Sequence, residues 1–228
     1  MLRVRPQSVD ANISNIERLM DQAVNERAWP GGVLLAAKDG NIFYQRGHGY
    51  HTYDKKKPTR SSDIFDLASI TKVVSTTSAI MKLQDLNKID INKPVVKYLP
   101  EFKGITKKHI SQKSSITIKD LLAHVSGLPP FKKYYETEKT KTSLLKSIYD
   151  TDPIYENRDT TIYSDVGAII LGQIVEKVSG LTLDVFVDSM VFEPLGMGTT
   201  FFNPPKEKKH RIVPTEISKD GRLIHGYV

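Results

Sequence analysis

Ser69 and Lys72 are the residues whose types and spacing first suggest a reaction. They stand three positions apart at the head of segment 69–92, which contains neither Gly nor Pro, so we expect them side by side on the first turn of an α-helix. A serine hydroxyl becomes a nucleophile when a neighbouring base takes its proton, and a lysine amine can be that base when it is neutral. The N–H groups at a helix start could also stabilise an oxyanion. In the alternative interpretation, Ser69 only caps the helix and Lys72 is a solvated surface charge.

The elements before this pair predict an antiparallel sheet covered by a helix. Apolar residues recur at helical spacing over 12–27, which indicates an amphipathic helix. Two β-type runs, 33–37 and 42–45, then flank Asp39-Gly40, and an Asp-Gly pair between such runs predicts a β-hairpin.

The chain after Ser69 reads as mostly helical up to about residue 196. Thr117 with Asp120 predicts a capping box that opens a short helix through His124, which we interpret as a structural histidine. Small and apolar residues over 166–179 predict a buried helix that stops at Gly180. Further helices are predicted over 142–149 and 183–191.

Composition excludes several classes of function. The 228 residues are 39% hydrophobic and 26% charged, which is ordinary for a globular protein, and no apolar run approaches a membrane span. There is no cysteine, and no two of the six histidines have the i, i+4 spacing of a helical metal site, so we predict neither metal nor cofactor. The net charge of +7 is scattered in short lysine groups, which we interpret as solvated loops with a weak bias towards acidic partners and no nucleic-acid site.

Four motifs in order resemble those of the serine β-lactamase and penicillin-binding protein superfamily. They are Ser69-Ile70-Thr71-Lys72, the segment 121–129 with its sequence LLAHVSGLP, Tyr163-Ser164-Asp165, and the segment 192–197 with its sequence FEPLGM. Within this superfamily, the chain most resembles the branch that contains class C β-lactamases, D-aminopeptidases and esterases. The sequences of segments 50–54, 66–72 and 163–165 further resemble the β-lactamase-type domain fused to a glycoside hydrolase family 3 domain in some bacterial envelope proteins.

The resemblance implies a β-lactamase/transpeptidase-like fold, with an α/β part whose antiparallel sheet is flanked by helices and an all-helical part. We expect residues 1–68 to form the first portion of the α/β domain, 69–200 the helical domain that carries the motifs, and 201–228 the return to the α/β domain. The family's third motif, a Lys- or His-containing triplet ending in Gly, should follow, but the chain stops at Val228. We therefore expect a C-terminally truncated piece that lacks the last strands of the sheet.

By family likeness, Ser69 attacks a carbonyl carbon to form an acyl-enzyme that water hydrolyses. Lys72 and Tyr163 share the proton handling, and either could be the base: a phenol is useful only as a phenolate beside cationic Lys72, and the lysine only when neutral. Asp165 stands where the family usually has Asn, as a substrate-binding residue. A carboxylate there favours charged Lys72 and cannot donate a hydrogen bond to a substrate carbonyl unless it is protonated. In the alternative interpretation, Asp165 caps the helix that begins at Val166. Tyr163 could also be a core aromatic.

The sequence leaves three functions open. The first is a serine hydrolase acting on a small-molecule or peptide acyl substrate, which is an ester, a D-amino-acid peptide or a β-lactam. The second is a weak or inactive binding module on the same fold, and the third is an acyltransferase that uses the same residues. The resemblance implies a periplasmic or envelope location. We expect any export signal to lie outside the given residues, because Met1–Pro6 lacks a hydrophobic stretch. The oligomeric state is left open.

Overall fold

The chain forms two compact units in a computed structural model that describes residues 10–227. Unit 1 contains the described residues up to Asp66 and those from Asn203 onward, and unit 2 is Leu67–Phe202. The interpretation of Met1–Pro6 lies outside the described residues.

Unit 1 begins with a helix and the predicted hairpin. Helix α1 (Asp10–Asn25) precedes strands β1 (Gly31–Lys38) and β2 (Asn41–Gly49), which pair antiparallel from Gly31↔Gly49 to Lys38↔Asn41. Asp39 and Gly40 both have positive φ, 52° and 73°, as a tight hairpin turn with the right twist requires. The hairpin prediction is therefore confirmed.

The end of the chain adds a second small hairpin to unit 1. A 3₁₀ helix, Lys206–Arg211, precedes β3 (Glu216–Ile217) and β4 (Leu223–Ile224), which pair antiparallel. Ile64 and Ile212 form a parallel bridge within this unit, so segments far apart in sequence are tied together by backbone hydrogen bonds.

Unit 2 is helical around one apolar core. Its α-helices are α2 (Ser78–Asp85), α3 (Lys107–Ser115), α4 (Ile118–Leu122), α5 (Tyr134–Thr137), α6 (Lys141–Tyr149), α7 (Asp165–Ser179) and α8 (Leu183–Val187). Ile80, Phe102, Leu121, Ile170 and Ile174 are among the fully buried side chains of this core. Burying such apolar surface is the main stabilising contribution to a fold of this kind.

Local signals fix the ends of two helices near the candidate site. Thr117 and Asp120 form the predicted capping box at the start of α4. Helix α7 ends at Gly180, whose φ of 74° is the left-handed conformation that glycine adopts at little cost. Among residues 10–227, no single helix is long and apolar enough to cross a membrane. Helix α7 and Leu183–Phe192 together have the length and composition of a membrane span, but they are bent by 74° relative to each other.

The segment that starts with Ser69 differs from the predicted α-helix. Ala68–Ile70 is a 3₁₀ turn, Lys72–Thr77 is π-helical, and α-helical structure covers only Ser78–Asp85. It ends early because Asn87 adopts a left-handed φ of 55°. The prediction that α4 runs through His124 is also wrong, since α4 ends at Leu122 and His124 itself takes the left-handed conformation, φ 56°.

Candidate active site

Ser69 and Lys72 lie side by side, although the turn that carries them is not α-helical. Lys72 Nζ is 3.0 Å from Ser69 Oγ and donates a hydrogen bond to it. Ser69 belongs to the 3₁₀ turn and Lys72 is the first residue of the π-helical segment, so the i, i+3 spacing brings the two side chains together across the junction of these two turns. Ser69 is exposed, and the cap position of its turn is occupied by Leu67, which makes no side-chain cap bond. The alternative in which Ser69 only caps a helix is therefore wrong.

Ala68 holds the backbone in an unusual conformation just before Ser69. Its φ is 44°, in the left-handed region that costs a residue with a Cβ about 1–2 kcal/mol. Strained residues of this kind persist only where the surrounding structure holds the unusual conformation, and they cluster at functional sites. No feature of the sequence pointed to this residue.

Lys72 forms an ion pair with Asp165 and lies close to the ring of Tyr163. Its Nζ is 2.8 Å from Asp165 Oδ1 and 5.2 Å from the centre of the Tyr163 ring. Partial burial acts to lower the pKa of Lys72, but Asp165 and Tyr163 outweigh this effect, and the net pKa is raised. The ammonium form is therefore the one that this arrangement favours.

Tyr163 is half exposed, with 50% of its surface accessible, so the alternative of a core aromatic is wrong. Hydrogen bonding to Ser69, and then to Lys72, lowers the pKa of its phenol. Hydrogen bonds and a nearby cation stabilise the phenolate more than the phenol. The pKa values of Lys72 and Tyr163 thus move in opposite directions.

The first turn of α7 positions Tyr163 and Asp165. Ser164 is the cap residue of this helix: its Oγ accepts from Gly167 N at 3.1 Å and donates to Pro129 O at 2.7 Å. Asp165 follows as the first helical residue, and its N–H donates to Pro130 O at 2.8 Å. The suggestion that Asp165 caps the helix is therefore wrong, and its carboxylate faces Lys72 instead, at the helix end that favours negative charge.

His124 supports this turn from the other side. Its Nδ1 lies 3.1 Å from Ser164 N and accepts that hydrogen bond, and its ring is 4.7 Å from the Tyr163 ring. Because Nδ1 accepts, the neutral ring carries its proton on Nε2. Burial, and then the charge of Lys72, lower the pKa of His124 and keep it neutral. Sequence reasoning treated His124 as structural, and it missed that the residue holds Tyr163 in place.

The arrangement has the parts that acyl transfer needs. A hydroxyl, an ammonium group and a phenol with a lowered pKa meet within unit 2, and Asp165 orients the ammonium group. In the described part of the chain, no group of side chains could hold a metal ion.

The chain is similar to several known proteins. Residues 16–223 match the sequence model of the Beta-lactamase family. A Salmonella gallinarum protein named "Putative D-alanyl-D-alanine carboxypeptidase" is 34% identical over 215 residues, covering 87% of this chain and 50% of that protein. A Bacillus subtilis protein named N-acetylmuramyl-L-alanine amidase is 33% identical over 224 residues, covering 88% of this chain and 50% of its own length.

Solved structures with the same fold agree. The octameric penicillin-binding protein homologue from Pyrococcus abyssi has a TM-score of 0.76 and 25% identity, covering 95% of this chain and 50% of that one. A class C β-lactamase has a TM-score of 0.79 at 19% identity, which shows the fold alone, covering 97% of this chain and 59% of that one. The fold is thus β-lactamase/transpeptidase-like, and the chain spans about half the length of the curated relatives it matches. By the family match over 16–223 and by these two relatives, this chain belongs to the Beta-lactamase family of serine hydrolases and penicillin-binding proteins.

Proposed function

We propose that this chain carries the nucleophile and base of a serine acyl hydrolase that forms an acyl-enzyme at Ser69. The observation that carries the proposal is the convergence on Ser69 Oγ of Lys72 Nζ, at 3.0 Å, and of the Tyr163 phenol. A hydroxyl within hydrogen-bond reach of a base, with a third group that orients the base, is the arrangement of an activated nucleophile.

Tyr163 is the better candidate for the base. The pKa of Tyr163 is lowered and that of Lys72 is raised, so the lysine holds its proton while the phenol is closer to losing its own. Phenolate Tyr163 accepts the Ser69 proton as Oγ bonds to the carbonyl carbon. It then returns that proton to the leaving oxygen or nitrogen as the old bond breaks. Lys72 acts as the cation that keeps the phenolate accessible.

Water completes the cycle by the same route. Tyr163 takes a proton from a water molecule, the hydroxide adds to the acyl carbon, and Ser69 Oγ leaves and regains a proton from Tyr163. The backbone N–H of Ser69 is a candidate oxyanion donor, because N–H groups at a helix start have no acceptor within the helix.

Esters and D-amino-acid peptides are the proposed substrates, and a β-lactam is a third candidate. The carboxypeptidase and amidase names of the two relatives support hydrolysis of an acyl–nitrogen bond. Asp165 accepts hydrogen bonds but donates none while ionised, so it cannot make the donation to a substrate carbonyl that an asparagine makes. We propose a periplasmic or cell-envelope location on the same family likeness.

The Lys72–Asp165 ion pair also favours a second candidate, a binding module with little turnover. At 2.8 Å, the carboxylate competes with substrate and with Tyr163 for the ammonium group. An acyltransferase would use the same residues with an amine or hydroxyl in place of water, and product analysis with added acceptors would separate it from a hydrolase.

Covalent labelling tests the proposal in the protein at its natural length. We expect a fluorophosphonate to add to Ser69, as located by mass spectrometry, and hydrolysis of p-nitrophenyl acetate to be lost in Ser69→Ala. Ser78→Ala is the matched control, because Ser78 Oγ instead donates to Val73 O at 3.1 Å. Folded protein that acquires no adduct at Ser69 and hydrolyses no ester would support the binding module instead.

A further inference from the structure

A groove runs along one face of α7 and begins at the candidate active site. It is a cavity of about 440 Å³ within unit 2. Asp165, Ile169, Gly172, Gln173 and Glu176 line it from α7, at spacings of four, three, one and three residues, so they share one helical face. From Asp165 to Glu176 this face extends about 16 Å at 1.5 Å per residue. The groove therefore extends along most of α7.

Most of the surface of the groove is apolar, although Thr76 and Lys132 also line it. The large apolar residues that line it are Val166 and Ile169 of α7, Leu183 at the start of α8, Phe131, and Tyr134 at the start of α5. Phe131 and Ile169 are exposed, although large apolar side chains gain by being covered. Gly172 lies in the middle, and a Cβ added there would be 3.5 Å from Leu183 Cδ2, an ordinary contact. Glycine at this position leaves the centre of the groove open.

The two ends of the groove differ in what they offer a ligand. At the near end, Ala68, Thr71 and Lys72 of the nucleophile-bearing segment line the groove together with Asp165. At the far end, both Glu176 oxygens are engaged: Oε2 by Lys141 at 3.1 Å and by Gln173 at 3.0 Å, and Oε1 by Leu183 N at 3.3 Å. The far end is closed by a satisfied polar network, whereas the near end opens at the reacting groups.

We infer that this groove holds the apolar acyl chain of the substrate, so that the enzyme acts on esters or amides of long aliphatic acids; the inference rests on the proposed function. An acyl carbonyl at Ser69 would direct its chain past Lys72 and Asp165 into the groove. A peptide strand fits less well where Phe131, Val166 and Ile169 line the groove, because its N–H and C=O groups would find no hydrogen-bond partner on those side chains. Glu176 sets the greatest length of acyl chain that the groove can hold, because its carboxylate and the partners of that carboxylate close the far end.

A series of p-nitrophenyl esters from acetate to dodecanoate tests the inference in the protein at its natural length. We expect kcat/KM to rise by about two- to fourfold per added methylene and to level off when the groove is full. Gly172→Leu places a side chain across the middle of the groove. It should lower kcat/KM for decanoate by about 10–100-fold and leave that for acetate within about twofold.

Gly198→Leu is the matched control, because a Cβ at that position meets no atom within 4 Å. It should keep the wild-type chain-length profile. Ile169→Asn is a second variant that makes the groove polar without filling it, in case Gly172→Leu does not fold, and it should flatten the rise with chain length.

Direct binding separates this inference from the proposed function. Octanamide should bind to Ser69→Ala and not to Ser69→Ala/Gly172→Leu, as measured by ligand-observed NMR with acetamide as the short control. If Ser69 is labelled but kcat/KM is flat with chain length and octanamide does not bind, the inference fails and the proposed function stands. If Ser69 acquires no adduct while octanamide binds in a Gly172-dependent way, the groove stands and the proposed function fails.

Discussion

Unit 2 contains two lysines that each lie beside a carboxylate and an aromatic ring, but the pKa values of the two lysines are shifted in opposite directions. Lys72 Nζ is 2.8 Å from Asp165 and 5.2 Å from the Tyr163 ring, and its side chain is 24% exposed. Lys113 Nζ is 3.5 Å from Asp152 and 4.9 Å from the Phe102 ring, and its side chain is fully buried. The pKa of Lys72 is raised, whereas burial lowers that of Lys113 despite the attraction of Asp152.

The two lysines differ in solvent exposure, in the distance to the carboxylate and in their other hydrogen-bond partners. Lys72 keeps enough contact with solvent for a close carboxylate to dominate, so its charge is retained and is available to a reacting group. Lys113 donates to Tyr149 O at 2.7 Å and shares Asp152 with His109, whose Nδ1 is 2.7 Å from Asp152 Oδ2. Within residues 10–227, no serine or threonine hydroxyl is hydrogen-bonded to Lys113. A lysine–aspartate pair alone is therefore no indication of catalysis.

Replacing the two lysines separately should give the largest contrast. We expect Lys72→Met to lower kcat/KM for p-nitrophenyl acetate by about 10²–10⁴-fold, because the charge that stabilises phenolate Tyr163 is lost. Lys113→Met should leave kcat/KM within about twofold when the folded fraction is measured alongside. Equal losses in both folded variants would mean that Lys72 has no special role in the reaction.

Stability should respond in the reverse order. Lys113→Met leaves Asp152 partly unpaired, and we expect the free energy of unfolding to fall by about 2–3 kcal/mol, below the cost of breaking a fully buried pair because His109 still contacts Asp152. Lys72→Met should change it by under about 1 kcal/mol, since partly exposed ion pairs contribute little. Urea denaturation with a common slope measures both values.

A double variant checks the cause of that loss. Lys113→Met with Asp152→Asn removes the charge that was left behind, so stability should recover part of the difference. A double variant as unstable as the sum of the two single variants would show that packing, not the unpaired carboxylate, sets the cost.

Sequence reasoning predicted the features that depend on local signals. The Asp39-Gly40 turn, the capping box at Thr117 and the stop at Gly180 each follow from a few adjacent residues with a specific backbone preference. The contact between Ser69 and Lys72 could also be predicted from the sequence, because several kinds of helical turn bring positions i and i+3 together. Since the spacing does not distinguish these kinds of turn, it could not predict which of them residues 68–77 adopt.

Contacts between distant segments could not be read from the residues alone. Lys72 and Asp165 are far apart in sequence, and family likeness, not spacing, placed Tyr163-Ser164-Asp165 near the nucleophile. Lys113 lies in a polar run of α3, yet it is fully buried. Which lysine is buried depends on how α3 packs against its surroundings, and a single sequence does not state this.

The smallest predicted effect concerns the pH profile of Asp165→Asn. If phenolate Tyr163 is the base, kcat/KM rises as Tyr163 loses its proton and falls as Lys72 loses its charge, giving two limbs. Asp165 raises the pKa of Lys72, and its charge also opposes the lowering of the Tyr163 pKa. Removing the carboxylate should therefore move both limbs to lower pH, each by less than about one unit because the site is partly exposed.

Asp85→Asn is the control for this shift, because Asp85 is an exposed carboxylate at the end of α2 in the same unit, and its removal should move neither limb. The profile also decides between the two bases. A neutral Lys72 base would give a rate that rises only above the pKa of Lys72, with no alkaline fall from that residue, and Asp165→Asn would then increase the rate at neutral pH. An unchanged profile in Asp165→Asn would mean that the 2.8 Å ion pair does not control the protonation of Lys72, and the contrast with the buried Lys113 would then rest on exposure alone.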